Sequence, residues 1–192
     1  YFTKEMIRYY EGAGPALKNM TLFMAGDLAI SKKEFADYSV FIVAGVTEND
    51  DIYILDVARG RWDSMEILNE LFRLYRQYLP TLIGIEAGQI EKAIGPFLEK
   101  RIMEEKLFRM NVEPLPPGKR DKELRARPIQ GRMRQGKVWI PRGRSWTETF
   151  VNELLRFPNS VKDDQVDALA WLGQMMNSVT FRQPGPSKTE SW

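Results

Sequence analysis

Six acidic residues are spaced so that they could act together on a divalent cation: Asp27, Glu86, Asp163, Asp164, Asp167 and Asp37. Asp27 interrupts the first apolar run of the chain, flanked by Leu22, Phe23, Met24 and Leu28. An unpartnered carboxylate is costly to bury there, so the position calls for a cation or strong hydrogen bonds. Glu86 closes the apolar run Leu82-Ile83-Gly84-Ile85, at the carboxyl edge where α/β sheets place ligands. Asp163, Asp164 and Asp167 fall in the first turns of the last helical stretch. At ~100° per residue, Asp163 and Asp167 are about 40° apart, beside the apolar stripe Val166, Ala170 and Gly173. Asp164 lies about 60° beyond Asp167. This geometry puts Asp163 nearer the core-facing side, and a small change of tilt would bring in Asp164. Both are candidates, Asp167 is a lesser one, and Asp37 is a candidate supporting group.

Each acid also has a structural reading. First-turn aspartates complement a helix dipole, and Glu86 could cap the turn before Gln89. Asp27 is the hardest to explain that way, and three separate accidents would have to converge on one sheet edge.

Composition narrows the chemistry. The 192 residues contain no cysteine and no histidine. Thiol nucleophiles, disulfides, structural zinc and imidazole bases are therefore excluded. An all-oxygen donor set suits Mg²⁺ or Mn²⁺. Two such ions ~3.5–4 Å apart would activate water and stabilise a leaving oxygen without histidine, so the acids predict a carboxylate site that cuts nucleic acid. Residues 100–144 hold 14 Lys and Arg against 5 Asp and Glu, whereas the rest of the chain holds 14 against 21. A basic segment beside an acidic remainder suggests a polyanion held next to a metal cluster, and a solvated basic loop is the alternative.

The elements that must position these residues follow from periodicity. With 43% hydrophobic residues and no apolar run near ~20 residues, the chain reads as one globular domain without a membrane span. Strands are predicted over 22–29, 38–47 and 52–58, joined by short polar turns as an antiparallel meander. Asp63-Ser64-Met65-Glu66 reads as a capping box, followed by a helix with Ile67, Leu68, Leu71, Phe72, Leu74, Tyr75 and Tyr78 on its apolar side and Pro80 at its end. A fourth strand over 81–86, a helix over 89–105 and a fifth strand over 107–112 come next. The Pro-rich stretch 113–118, a basic helical stretch and a short strand over 137–140 follow, and helices over 147–155 and 161–177 complete the pattern. Residues 1–20, with Gly12-Ala13-Gly14-Pro15, read as a linker from a preceding domain, and 181–192, with the Pro-, Gly- and Ser-rich stretch 183–192, as a disordered tail. The absence of an initiator methionine or signal pattern suggests a piece of a longer protein. This order predicts a ribonuclease H-like α/β fold: a central mixed sheet of five or slightly more strands, strands one to three antiparallel, helices on both faces.

At the acidic positions the chain resembles the C-terminal nuclease domain of the large terminase subunit of tailed bacteriophages. The resemblance rests on Gly26-Asp27-Leu28-Ala29-Ile30-Ser31, Ala36-Asp37-Tyr38-Ser39, Ile83-Gly84-Ile85-Glu86 and Lys162-Asp163-Asp164-Gln165-Val166-Asp167-Ala168-Leu169, and it spans roughly residues 20–178. It implies a RuvC-like nuclease domain over 21–180 that cuts concatemeric double-stranded DNA with two Mg²⁺ or Mn²⁺ ions. By that likeness Asp27 would bridge both ions, Glu86 would bind one, and Asp163 or Asp164 would complete the set. Many relatives carry aspartate where this chain has Glu86, which changes reach and not charge. No Gly-x-x-x-x-Gly-Lys-Ser/Thr loop occurs, so the packaging ATPase is expected upstream. The same likeness implies a portal and a small terminase subunit as partners and the host cytoplasm as location. Lys119, Arg120, Lys122, Arg125, Arg127, Arg132, Arg134 and Lys137 would line the duplex approach, mostly through phosphate. A Holliday-junction resolvase or transposase-like nuclease, or an inactive module docking on portal or DNA, are the alternatives.

Overall fold

The structure is a computed structural model that describes residues 1–29, 37–116 and 121–182. Among these, seven strands form one mixed sheet: β1 (Arg8–Tyr10), β2 (Met20–Asp27), β3 (Ser39–Thr47), β4 (Ile52–Gly60), β5 (Leu82–Glu86), β6 (Val112–Leu115) and β7 (Val138–Pro141). Their order across the sheet is β1-β7-β4-β3-β2-β5-β6. The meander β2–β3–β4 is antiparallel, and all other neighbours are parallel. Among the described residues six α-helices flank it: α1 (Ser64–Tyr78), α2 (Ala87–Ala93), α3 (Gly95–Glu104), α4 (Lys122–Arg134), α5 (Thr147–Arg156) and α6 (Asp164–Arg182). Among the described residues no helix is long and apolar enough to cross a membrane.

Period-two alternation splits the central strands between two cores. Phe23 and Ala25 of β2, with Val40, Ile42 and Ala44 of β3, pack under α4, α5 and α6. Leu22 and Met24, with Phe41 and Val43, pack under α1, α2 and α3. Helices thus cover both faces, as expected. The α1 capping box forms in both directions: Asp63 accepts from the Glu66 amide and Glu66 accepts from the Asp63 amide, each at 2.9 Å. Ile67, Leu68, Leu71, Phe72, Leu74 and Tyr75 are buried, each worth ~1.5–3 kcal/mol of removed apolar surface for the larger side chains.

Glycine sets how closely α6 lies on the sheet. A side-chain carbon at Gly84 of β5 would meet the Met175 sulfur at 2.3 Å. One at Gly173 of α6 would meet the Ile129 amide nitrogen at 3.1 Å, so α4 and α6 touch nearly backbone to backbone.

Several elements differ from expectation. Residues 1–20 do not behave as a linker: Phe2 is buried in the core and β1 adds a parallel edge strand onto β7. The Gln130 side chain also donates to the Tyr1 carbonyl at 2.7 Å. Those partners lie more than a hundred residues away, out of reach of any local pattern. The helix over 89–105 is two helices, because Gly95-Pro96 interrupts it and proline cannot donate to the preceding turn. The fifth strand lies at Val112–Leu115 and not at 107–112. Pro114 is tolerated there because β6 is an edge strand. Of the expected tail over 181–192, residues 181 and 182 still belong to α6, and 183–192 lie outside the described residues.

Candidate active site

Asp27 is the last residue of β2 and Glu86 the last of β5, and these two strands are parallel neighbours at the centre of the sheet. Their register pairs Gly26 with Ile85, which sets Asp27 beside Glu86. Alternation puts Asp27 on the side of Phe23 and Ala25, and Glu86 on the side of Leu82. That is the face covered by α6, which packs on β2, β3 and β5. The carboxylates at the start of α6 therefore meet those at the strand ends. A cleft of about 380 Å³ results, lined by Asp27, Asp37, Glu86, Asp163, Asp164 and Asp167 together with Gln89, Lys122 and Arg125. All six acids singled out by sequence share it.

The order of depth within the aspartate pair is a correction. Asp164 is buried at 7% exposure, whereas Asp163 is only partly buried. The last helix begins at Asp164, and the Asp163 carbonyl accepts the Asp167 amide at 2.9 Å. Asp163 thus precedes the first helical residue, and the 100° rule that placed it inward does not govern it.

Burial is the main electrostatic fact of the cleft. It pushes the Asp27 carboxyl up to about 7, helped by the negative charges of Asp167 and Asp164 and opposed by a hydrogen bond from Gln89. Burial raises Asp164 as well, against a hydrogen bond from the Tyr38 amide. It raises Asp167 despite the adjacent Arg125 and Lys122. Lys122 Nζ bonds Asp163 Oδ1 at 2.6 Å and approaches Asp167 Oδ2 at 3.0 Å. Arg125 bonds Asp167 Oδ1 at 2.8 Å while its guanidinium lies 5.4 Å from the Trp171 ring centre. Lys162 pairs with Asp37 at 2.7 Å.

Among the described residues, no three of these carboxylates stand close enough to enclose an ion as the side chains lie. The donor chemistry nevertheless fits a hard cation. Oδ2 of Asp164 is buried without a hydrogen-bond partner, an unmet demand that a divalent ion at an all-oxygen site would satisfy.

Sequence reading missed the groups that hold the acids. Gln89, in the first turn of α2, donates from Nε2 to Asp27 Oδ1 at 2.7 Å and accepts the Leu28 amide at 2.9 Å. Its place three residues after Glu86 was the only available signal. Buried Glu153 of α5 accepts from both the backbone and the side-chain nitrogen of Gln165 at 2.6 Å. Arg59 stands 4.0 Å from Glu153 and 3.7 Å from the Tyr38 ring centre. This network anchors the first turn of α6 to α5 and, through Arg59, to β4.

The basic residues divide. Lys122 and Arg125 line the cleft, and Arg127 and Arg134 are exposed on α4. Arg132 pairs with Asp50 at 2.5 Å and Lys137 with Asp51 at 3.3 Å, at the opposite end of the sheet. Arg132 lines a larger, open groove of about 1000 Å³ there, with Met20, Thr47 and Asp50. That groove lacks the acidic cluster and lies at the far end of β2 from Asp27. Lys119 and Arg120 lie outside the described residues.

Sheet order, flanking helices and an acidic cleft at the carboxyl ends of the central strands define a ribonuclease H-like domain. Residues 24–176 match the model of the terminase RNaseH-like domain, and the chain belongs to that family. No curated protein sequence matches it. Its fold is similar to the large terminase nuclease of thermophilic phage G20c, solved with bound magnesium, at 17% identity and a TM-score of 0.60, covering 88% of this chain and 93% of that one. The nuclease domain of the Thermus phage P74-26 large terminase is similar at 18% identity and a TM-score of 0.60, covering 87% and 90%. The yeast mitochondrial Holliday junction resolvase shares the fold at 13% identity and a TM-score of 0.51, covering 83% and 82%.

Proposed function

We propose that this chain is the DNA-cutting domain of a viral genome-packaging motor, a divalent-metal-dependent endonuclease that hydrolyses phosphodiester bonds in concatemeric double-stranded DNA. The observation that carries the reading is the meeting of Asp27 and Glu86, on adjacent parallel strands, with Asp163, Asp164 and Asp167 of the α6 start in one cleft. Asp27, Glu86 and one or both of Asp163 and Asp164 would hold two Mg²⁺ or Mn²⁺ ions. Bound there, the ions would supply a nucleophilic water and neutralise charge on the leaving oxygen. Magnesium, zinc and cobalt in the G20c domain support divalent chemistry in this fold.

The protein's own groups would do the rest. Lys122 and Arg125 stand at the cleft where a scissile phosphate would arrive, and each can exchange an aspartate for a phosphate oxygen. Arg127 and Arg134, exposed on the same helix, would track the backbone with little sequence preference. An ATPase domain upstream in the same polypeptide, a portal and a small terminase subunit complete the assembly in this reading, working at the procapsid in the host cytoplasm.

Plasmid DNA incubated with the protein and Mn²⁺ or Mg²⁺ tests this reading. Nicking and linearisation are expected, and Asp27→Asn should abolish both while preserving the fold. An inert wild-type protein with both metals would leave a docking module as the better reading. A second reading, a junction resolvase, is favoured by the likeness to the yeast enzyme. Strong preference for a four-way junction over plain linear duplex would select it.

A further inference from the structure

The carboxylate at the centre of the site is not oriented by its own strand alone. Asp27 is the terminal residue of β2, where the ladder to β3 and β5 ends and backbone constraint weakens. Gln89 supplies the missing restraint from another element. Its Oε1 accepts the Leu28 amide at 2.9 Å and its Nε2 donates to Asp27 Oδ1 at 2.7 Å. The two bonds fix the amide's direction, because a flipped amide would set N–H against N–H at Leu28 and oxygen against oxygen at Asp27.

We infer that Gln89 is the positioning residue for Asp27: its amide locks the strand-borne carboxylate in one orientation and ties it to the helix that follows Glu86. The inference rests on the metal-dependent reading given above. Gln89 occupies the third position of α2, whose first residue directly follows Glu86. The same helix therefore sets the end of β5 and the rotamer of Asp27, so the two carboxylates move as one unit. Glutamine suits this role because it is a neutral donor. It adds no positive charge beside Asp27, whereas lysine or arginine there would compete with a bound cation. Only one oxygen of Asp27 receives this bond, and the other stays available as a ligand.

Partners of this kind, which orient a metal ligand without touching the ion, typically change metal affinity by ~10–100-fold when removed. The test is a calorimetric titration of the whole chain with Mn²⁺ in the absence of DNA. It compares wild type with Gln89→Met, which keeps length and loses both bonds. Gln89→Asn keeps the polar amide but is one methylene too short to span both partners, and it provides the answer if the methionine variant does not fold. Mn²⁺ affinity should fall about tenfold or more in either variant, and the turnover of DNA cleavage should fall without a matching change in KM for DNA. A Gln89 that merely closes the chain at Leu28 would lower the melting temperature and leave the Mn²⁺ affinity of the folded variant at the wild-type value, which overturns the inference. Wild-type protein that binds no Mn²⁺ overturns the metal-dependent reading itself, and with it this assignment.

Discussion

The ammonium of Lys122 lies 2.6 Å from Asp163 Oδ1, so a helix of the basic segment reaches into the acidic cleft and neutralises a candidate ligand. The same ammonium approaches Asp167 Oδ2 at 3.0 Å, and Arg125 pairs with Asp167 from the next turn of α4. A metal-free cluster of like charges would repel itself, and these two cations offset that repulsion.

A cation arriving at Asp163 must compete with Lys122. Lys122→Met should therefore bind Mn²⁺ more tightly than wild type in the absence of DNA. The side chain of Lys122 is 46% exposed, so solvent screening limits the gain to about two- to fivefold. The same variant should bind duplex DNA more weakly, with a shallower salt dependence. Calorimetry and filter binding at two salt concentrations check both effects. Weaker Mn²⁺ binding by the variant would show that Lys122 supports the site and does not compete for it.

Asp27 makes the metal-free protein sensitive to pH. Its carboxyl is raised by burial from an ordinary value of 3.8 to about 7. Folding then takes up a proton between those values, so stability is greatest at the acid end and declines as pH rises toward 7. A shift of that size corresponds to at most about 4 kcal/mol, and burial of Asp164 and Asp167 acts in the same direction. Melting temperatures in EDTA should fall from pH 4.5 to pH 7.5, and Asp27→Asn should flatten that fall and melt higher at the upper end. Saturating Mg²⁺ should remove much of the difference. Parallel melting curves for the two proteins would mean that Asp27 is solvated as an ordinary carboxylate.

Glu153 holds the start of α6 through two 2.6 Å bonds from Gln165. Glu153→Ala leaves a buried amide unpaired in the first helical turn and should destabilise the protein by ~1–3 kcal/mol. Cleavage should fall as well, because Asp163 and Asp164 adjoin that turn. Glu153→Gln keeps an acceptor for the backbone amide and should recover part of both losses. Urea unfolding and plasmid nicking of the pair provide the comparison, and wild-type cleavage by the alanine variant would separate this anchor from the site.

Gly173 sets the separation of α4 and α6. A methyl there meets the Ile129 side chain at 2.8 Å and its amide nitrogen at 3.1 Å, and a helix backbone cannot yield as a side-chain end can. Gly173→Ala should cost ~1–3 kcal/mol through overpacking, against the ~1 kcal/mol that alanine ordinarily gains in a helix. Since α4 carries Lys122 and Arg125, the variant should also loosen their pairing with the aspartates. Equilibrium unfolding decides the sign, and a stabilised variant would mean that the two helices part easily.

Much of this was legible in the residues themselves. Apolar runs separated by short polar turns marked the three antiparallel strands, the spacing of Ile67 to Tyr75 marked α1, and the lack of histidine and cysteine left oxygen ligands as the chemistry. Asp27 stood out because it interrupts an apolar run and Glu86 because it ends one, both local signals. Tertiary structure alone decided the rest. Phe2 and β1 joined the domain through partners at the far end of the chain, whereas the break of one expected helix at Gly95-Pro96 is itself a local signal. Asp164, not Asp163, became the deeper carboxylate once the helix start was set by packing and by Glu153. Gln89 met Asp27, and Lys122 met Asp163, only because β5 lies beside β2 and α4 lies across α6. Periodicity records which face of an element is buried, since that is a property of neighbouring residues. Which elements then share an edge is settled by contacts between distant segments, and no local pattern contains them.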